Sequence, residues 1–342
     1  MISSSSHRFS GWRVSALVLA VALGLGGCKK SAAPEGGTPG AAGKHYKLAL
    51  IAKSSTNPVF LAAREGAESA ARELSAKHGI SIEIAWLTPP QEDGQLQAQR
   101  IAEAVNEGAN AIIITCSDAG KVTGAINDAV ARGVEVMTFD SDAPQSKRFA
   151  FYGVNDVALG ERIMAELAPL IGDKGKVAIL GGNQNAPNLR LRVDGIKAEA
   201  ARHPNIKIID AFYHLETPQD AAAEVVRVSN AYPDIAGWAM VGGWPLFTKT
   251  LLGDLDPAKI KIVAVDALPA QLPYVDKGLA PVLLAQPIFD WGKVSVETVI
   301  DKIHFGKTVP QRIPMDVARI TKDGLAAWAQ KLRSWKFTDV GY

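Results

Sequence analysis

The chain repeats itself. KLALIA from Lys47 matches KVAILG from Lys176, Glu65-Gly66 matches Asp194-Gly195, and TPPQED from Thr88 matches TPQD from Thr217, all at one offset of 129 residues. Farther along, VMTFD ending at Asp140 matches IVAVD ending at Asp266 after a small gap. Matches that keep their order and register point to a duplicated unit, hence to two similar lobes. Near-continuous β-branched runs at residues 46–52, 82–87, 111–115 and 135–139 recur at 176–180, 206–212, 237–241 and 260–265. Such runs are typical of strands buried on both faces. Amphipathic stretches at residues 58–78, 95–107, 156–171 and 189–203 lie between them, and Asn57-Pro58 and Thr217-Pro218 are helix-start signals. The alternation predicts an α/β fold of two doubly wound parallel sheets with right-handed crossovers.

Open α/β sheets bind ligands outside the carboxyl ends of their strands, where loops and helix N-termini converge. Two such lobes facing each other enclose a cleft at their boundary, a favoured place for a small-molecule site. The repeat therefore predicts a hinged clamp. A length of 342 residues accommodates two domains.

The N-terminus reads as an address. Arg8 and Arg13 precede an apolar run over residues 14–27 and then Cys28, the order of a secretory signal. Leu25-Gly26-Gly27-Cys28 resembles the bacterial lipoprotein signal, which implies cleavage and a lipidated Cys28 (residues 1–28 removed as signal). Residues 29–44, rich in Gly, Ala and Pro, then serve as a flexible tether. The membrane is met through the lipid alone. Arg8 and Arg13 are the only Lys or Arg before Cys28, with no acid beside them, so the remainder holds 35 basic and 35 acidic residues. That balance argues against nucleic acid as a partner. Cys116, closing the run at residues 111–115, reads as a small core hydrophobe.

Several longer motifs point to one family: IAKSSTNPVF from Ile51, AIIITCSDA from Ala111, VMTFDSDAP from Val136, NLRLRVDGI from Asn188, IVAVDA from Ile262 and LLAQP from Leu283. With these, the chain resembles the periplasmic sugar-binding proteins of type I fold, ribose-binding-like solute receptors of bacterial ABC importers, from Tyr46 to about Ile320. DSDAP together with Lys53 looks more like the rhamnose- and autoinducer-binding branch. The resemblance implies three chain crossings between lobes, near residues 153–156, 286–290 and 311–316. It thus divides the chain into an N-terminal lobe (residues 45–154 and 287–312), a C-terminal lobe (155–286 and 313–322) and a helical extension (323–342). It also implies a monomer that meets a membrane permease and, in some members, a chemoreceptor or sensor.

A polyhydroxylated ligand offers hydroxyl edges to carboxylates, amides and arginine, and C–H faces to aromatics. Asp140 and Asp266 close equivalent strands of the two repeats, and both match family ligand residues. Asp142 reads equally well as a solvated turn residue. Asn57 is either an N-cap or a ligand contact. Lys53 can donate to a ring or carbonyl oxygen while balancing Asp140. Of Arg190 and Arg192 one enters the cleft, since alternate helix positions do not share a face, and the resemblance favours Arg190. Asn183, Asn185 and Asn188 are loop amides near the same place, and Gln286 stands at an expected crossing. Phe60 and Trp244 are the aromatic candidates, whereas Trp86, Trp238 and Trp291 read as core. Glu216 falls near a family ligand position. Carboxylates outnumber cations here, which disfavours an anionic solute and fits a neutral monosaccharide or polyol.

Rival functions are weaker. Lac-repressor-like regulators share the two-lobed fold but need a helix-turn-helix where this chain has its signal and tether. G-x-S-x-G and G-x-x-x-x-G-K-[ST] are absent from the sequence, and His7, His45, His78, His203, His214 and His304 show no metal-ligand spacing. No catalysis, metal or cofactor is expected.

Overall fold

The computed structural model describes residues 43–342. The expected signal, Cys28 and all but the last two residues of the expected tether lie outside the described residues. The chain alternates strand and helix through β1 (His45–Ile51), α1 (Pro58–His78), β2 (Ser81–Trp86), α2 (Gly94–Asn106), β3 (Ala111–Ile114), α3 (Ala119–Ala131), β4 (Glu135–Phe139) and β5 (Ala150–Gly153). It then begins again with α4 (Asp156–Leu170), β6 (Gly175–Gly182), α5 (Pro187–Ala200), β7 (Ile206–Tyr213), α6 (Pro218–Ala231), β8 (Ile235–Met240), β9 (Lys261–Val265), α7 (Leu272–Asp276) and β10 (Val282–Ala285). α8 (Ile288–Ile303), β11 (Arg312–Pro314), β12 (Ala318–Ile320) and α9 (Leu325–Ser334) follow.

Two six-stranded sheets result, in the orders β11-β5-β4-β3-β1-β2 and β12-β10-β9-β8-β6-β7. Position by position the orders correspond, so the sequence repeat is a repeat of sheet topology. Every pairing in the first sheet is parallel. In the second, β12 alone runs antiparallel to its neighbour. β5, β10, β11 and β12 were not among the expected strands. The first two are four residues each, AFYG and VLLA, and the last two are three-residue edge strands. None is long enough to show a periodicity.

The chain passes between sheets at residues 154–155, 286–287 and 315–317. The last position corrects the expected boundary at residue 313. Ile313 pairs with Tyr152 and Pro314 with Gly153, so both belong to the first sheet and the crossing begins at Met315. The first lobe is completed by α8, which packs on α1, β3, β4 and β5.

Paired glycines set how closely the helices flanking the cleft approach. A Cβ on Gly66 of α1 would overlap the Phe289 carbonyl of α8, and one on Gly292 would overlap the Ala63 carbonyl. In the second lobe Gly195 of α5 meets the Val157 carbonyl and Gly160 of α4 the Arg192 carbonyl in the same way. Gly66 and Gly195 are the glycines matched by the repeat. They bring two helix backbones into contact in each lobe, and the N-terminal turns of α1, α5 and α8 line the cleft.

The C-terminal extension bonds to both lobes. Trp328 Nε1 donates to the Ala267 carbonyl at 2.7 Å, in the second lobe. The Trp335 ring stacks on Phe289 of α8 (centroids 6.2 Å apart, planes 5° from parallel), and Lys336 Nζ donates to Glu65 on α1 at 2.7 Å. No helix among the described residues is long and apolar enough to cross a membrane.

Candidate functional site

Each sheet presents an aspartate at the carboxyl end of its fourth strand, and the two share one backbone conformation. Asp140 has φ 55° and Asp266 φ 66°, in the left-handed region that disfavours most side chains and that Asp tolerates through its short polar group. Each backbone N–H is tied to the next strand, Asp140 to the Tyr152 carbonyl at 3.0 Å and Asp266 to the Leu284 carbonyl at 2.9 Å. The turn aims both carboxylates into the space between lobes. They line one narrow cavity together with Lys53, Asn57, Phe60, Asn188, Arg192, Glu216, Trp244, Gln286 and Trp291.

The polar side chains form a network spanning both lobes and the second crossing. Asn188 Nδ2 donates to Asp140 Oδ1 at 3.1 Å, and Lys53 Nζ donates to Asn188 Oδ1 at 3.4 Å. Thr115 Oγ1 donates to the other oxygen of Asp140 at 3.0 Å. Arg192 is almost wholly buried, at 2% exposure. Its Nε donates to Asp156 at 2.8 Å, Nη1 to the Val241 carbonyl at 3.0 Å and Nη2 to Gln286 Oε1 at 3.1 Å, and Nη2 lies 3.7 Å from Asp140. Gln286 Nε2 in turn donates to Asp266 at 3.1 Å. A hinge glutamine thus links the arginine of one helix to the strand-end aspartate.

Burial dominates the electrostatics. It pushes the carboxyls of Asp156 and Asp266 up to about 6, against the pull of Arg192 on both and of the Gln286 hydrogen bond on Asp266. Burial opposes the charges of Lys53 and Arg192 as well. It is outweighed at Lys53 by Glu216, Glu92 and Asp140, and at Arg192 by Asp156, Asp140 and Asp266, so both stay cationic.

Asn57 caps α1 and also borders the cavity. Oδ1 caps α1 by accepting from Val59 N–H at 3.2 Å, which leaves Nδ2 for the cavity. Phe60 and Trp291 form one aromatic wall, centroids 6.0 Å apart. Trp244 forms the other, its ring lying against Gly242, where any Cβ would overlap it. The glycine makes room for the indole.

Some expectations need correction. Arg190 is exposed, while Arg192 on the opposite side of α5 is the arginine in the cleft. Arg192 is held there by Asp156, across the close α4–α5 contact. Asp142 points away from the cavity into a bidentate pair with Arg148 (2.5 and 2.6 Å) and accepts from Thr138 Oγ1, a structural role. Trp291 packs in the core as expected, 2% exposed against Phe60 and Phe139, and also borders the cavity from the first turn of α8, with Nε1 turned to the Met315 sulfur at 3.2 Å. Asn183 and Asn185 build a turn, Asn183 Oδ1 accepting from the Asn185 N–H at 2.9 Å, and lie outside this cavity. Cys116 is buried and its thiol pushed up by that burial, which leaves it unsuited to nucleophilic work. Glu92, which faces Glu216 across the lobes, was missed, although TPPQED places it in a loop at the carboxyl end of β2. No cluster of three or more metal-ligating side chains occurs among the described residues.

Two topologically equivalent lobes, closing carboxylates, amides and aromatic walls around one small cavity, define a solute-binding clamp. The chain belongs to the periplasmic binding protein domain family, whose model matches residues 48–308. It is 29% identical over 152 residues to the ribose import binding protein of Bacillus subtilis, an alignment covering 44% of this chain and 48% of that one. The chain thus spans about half the length of that relative. A solute-binding protein of an ABC transporter from Burkholderia graminis, solved in complex with D-arabinose, superposes with TM-score 0.76 at 24% identity, over 83% of this chain and 98% of that one. The XylFII–LytSN complex matches at 26% identity and TM-score 0.73, over 82% and 98% of the respective chains.

Proposed function

We propose that the protein is an extracytoplasmic receptor, without catalysis, that captures a monosaccharide or related polyol between its lobes and delivers it to an ABC importer. The observation that carries this reading is the pair of left-handed aspartates, Asp140 and Asp266, aimed from equivalent strand ends into one cavity walled by Phe60, Trp291 and Trp244. Carboxylates accept hydroxyl donors, Lys53, Arg192 and Asn57 donate to ring and hydroxyl oxygens, and the rings cover C–H faces. The relatives' names agree in kind. A thermal-shift screen of the purified protein against aldoses, deoxysugars, polyols and the autoinducer tests it. At least one sugar or polyol should raise the melting temperature, and silence across the panel contradicts the reading.

The lipid anchor belongs to the same proposal, with Cys28 as its attachment point on the strength of Leu25-Gly26-Gly27-Cys28. Palmitate labelling that survives in a Cys28→Ser variant contradicts it. A second reading, ligand-loaded signalling to a membrane sensor, is favoured by the likeness to XylFII bound to LytSN. Growth on the identified sugar after deletion of the gene distinguishes the two, because an importer subunit is needed for uptake and a pure sensor is not.

A further inference from the structure

The cleft continues past Glu216. That side chain also lines a second, solvent-open cavity, bounded by Glu92 from the β2–α2 loop and by Asn183, Gln184, Asn185 and His214 from the second lobe. Both carboxylate oxygens of Glu92 are buried and no well-formed hydrogen bond reaches them among the described residues, although the Glu216 carboxyl and the Asn183 side chain stand beside them, and His214 Nε2 is buried without a partner as well. Glu216 retains acceptor capacity, since its Oε1 receives only the Asn183 N–H, at 3.2 Å. Burial, followed by the nearby charge of Glu216, pushes the Glu92 carboxyl well above the usual range, with Lys53 and Asn183 pulling the other way. His214 adds no cation, because burial pushes its ring below the usual histidine value.

Acidic side chains outnumber basic ones around the cleft, and burial favours the neutral form of Glu92 until a cation arrives. Among the described residues, Asp140, Asp156, Asp266, Glu92 and Glu216 face the two cations Lys53 and Arg192. Arg192 is spent on Asp156, the Val241 carbonyl and Gln286, and Lys53 donates to Asn188. Buried carboxylates without donors are costly unless paired. We propose that Glu92 and Glu216, meeting from opposite lobes, receive an ammonium group carried by the bound solute, which makes that solute an amino sugar or amino polyol. An ammonium offers three donors, which match the two oxygens of Glu92 and the second oxygen of Glu216. A metal ion fits less well, because the pair has no third ligand of the kind a metal needs. Because the two acids come from different lobes, the ammonium would also favour the closed state over the open one. This inference rests on the sugar-receptor reading and refines its neutral solute to a cationic one.

The test is calorimetry on the full-length protein at neutral pH, with glucosamine, galactosamine and mannosamine each titrated beside its neutral parent sugar. At least one amine should bind about ten- to hundredfold more tightly than its parent, the effect of one charge-assisted hydrogen-bonded pair. Glu92→Gln and Glu216→Gln, both isosteric, should each collapse that ratio toward one. Parents that bind as tightly as their amines, or a ratio that survives both substitutions, overturn the inference and leave the sugar-receptor reading standing. No binding of any sugar, aminated or neutral, overturns both.

Discussion

Asn188 Nδ2 donates to Asp140 Oδ1 at 3.1 Å, joining α5 of the second lobe directly to the strand end of the first. With Lys53 donating to Asn188 Oδ1, this amide holds the closed cleft together from its centre. Replacing it with alanine removes both links, so Asn188→Ala should shift the unliganded protein toward an open form. Small-angle scattering should then give a larger radius of gyration than wild type, with saturating ligand narrowing the gap. Equal radii without ligand would contradict this role for Asn188.

The two arginines of α5 should behave oppositely. Arg192→Ala strands Asp156 without its partner and leaves Gln286 and the Val241 carbonyl without a donor. Breaking a buried pair from one side costs about 3–5 kcal/mol, so urea unfolding should show a clearly lower midpoint. Arg190→Ala, at an exposed position, should fall within about 0.5 kcal/mol of wild type. Comparable losses in both variants would contradict the assignment of Arg192 to the cleft.

Choosing between those arginines shows where the sequence stopped being informative. The duplicated strands, their order and the strand-end aspartates were legible, because apolar runs and a constant offset follow directly from burial and duplication. Rotation about the α5 axis was not, since it depends on Gly160 and Gly195 letting two helices touch. Asp142 failed for a similar reason, as an acid in a turn shows no sign of an arginine six residues on. Glu92 meets Glu216 only because the lobes fold toward each other, which no local pattern records.

Asp156 and Asp266 make stability depend on pH with an unusual sign. Both carboxyls are pushed up to about 6 by burial, from a usual value of 3.8. Between those values the native state holds more protons than the unfolded chain, so their contribution to stability falls as pH rises through this window and levels off above about 6. The effect is about 1–3 kcal/mol for each group. Denaturant unfolding of wild type and Asp266→Asn at several pH values should show the variant losing part of that downward slope, and parallel profiles would contradict it. Ligand binding should run the other way, because sugar hydroxyls donate to carboxylates and protonation below about 6 removes acceptors.

The C-terminal segment is structural. Trp335 is buried between Phe289 and Trp328, while its neighbours bond to both lobes. Trp335→Ala should cost about 3–5 kcal/mol, as for other buried aromatics, and lower the melting temperature. An unchanged melting temperature would show that the extension merely lies on the surface.

The claim that organises the rest is that Asp140 and Asp266 grip one solute from two lobes. Calorimetric titration of a sugar found in the screen into wild type, Asp140→Ala and Asp266→Ala tests it most directly. Losing a carboxylate that bonds sugar hydroxyls should weaken binding by about 1.5–3 kcal/mol in each variant, or about ten- to hundredfold. Unchanged affinity in both would contradict the account.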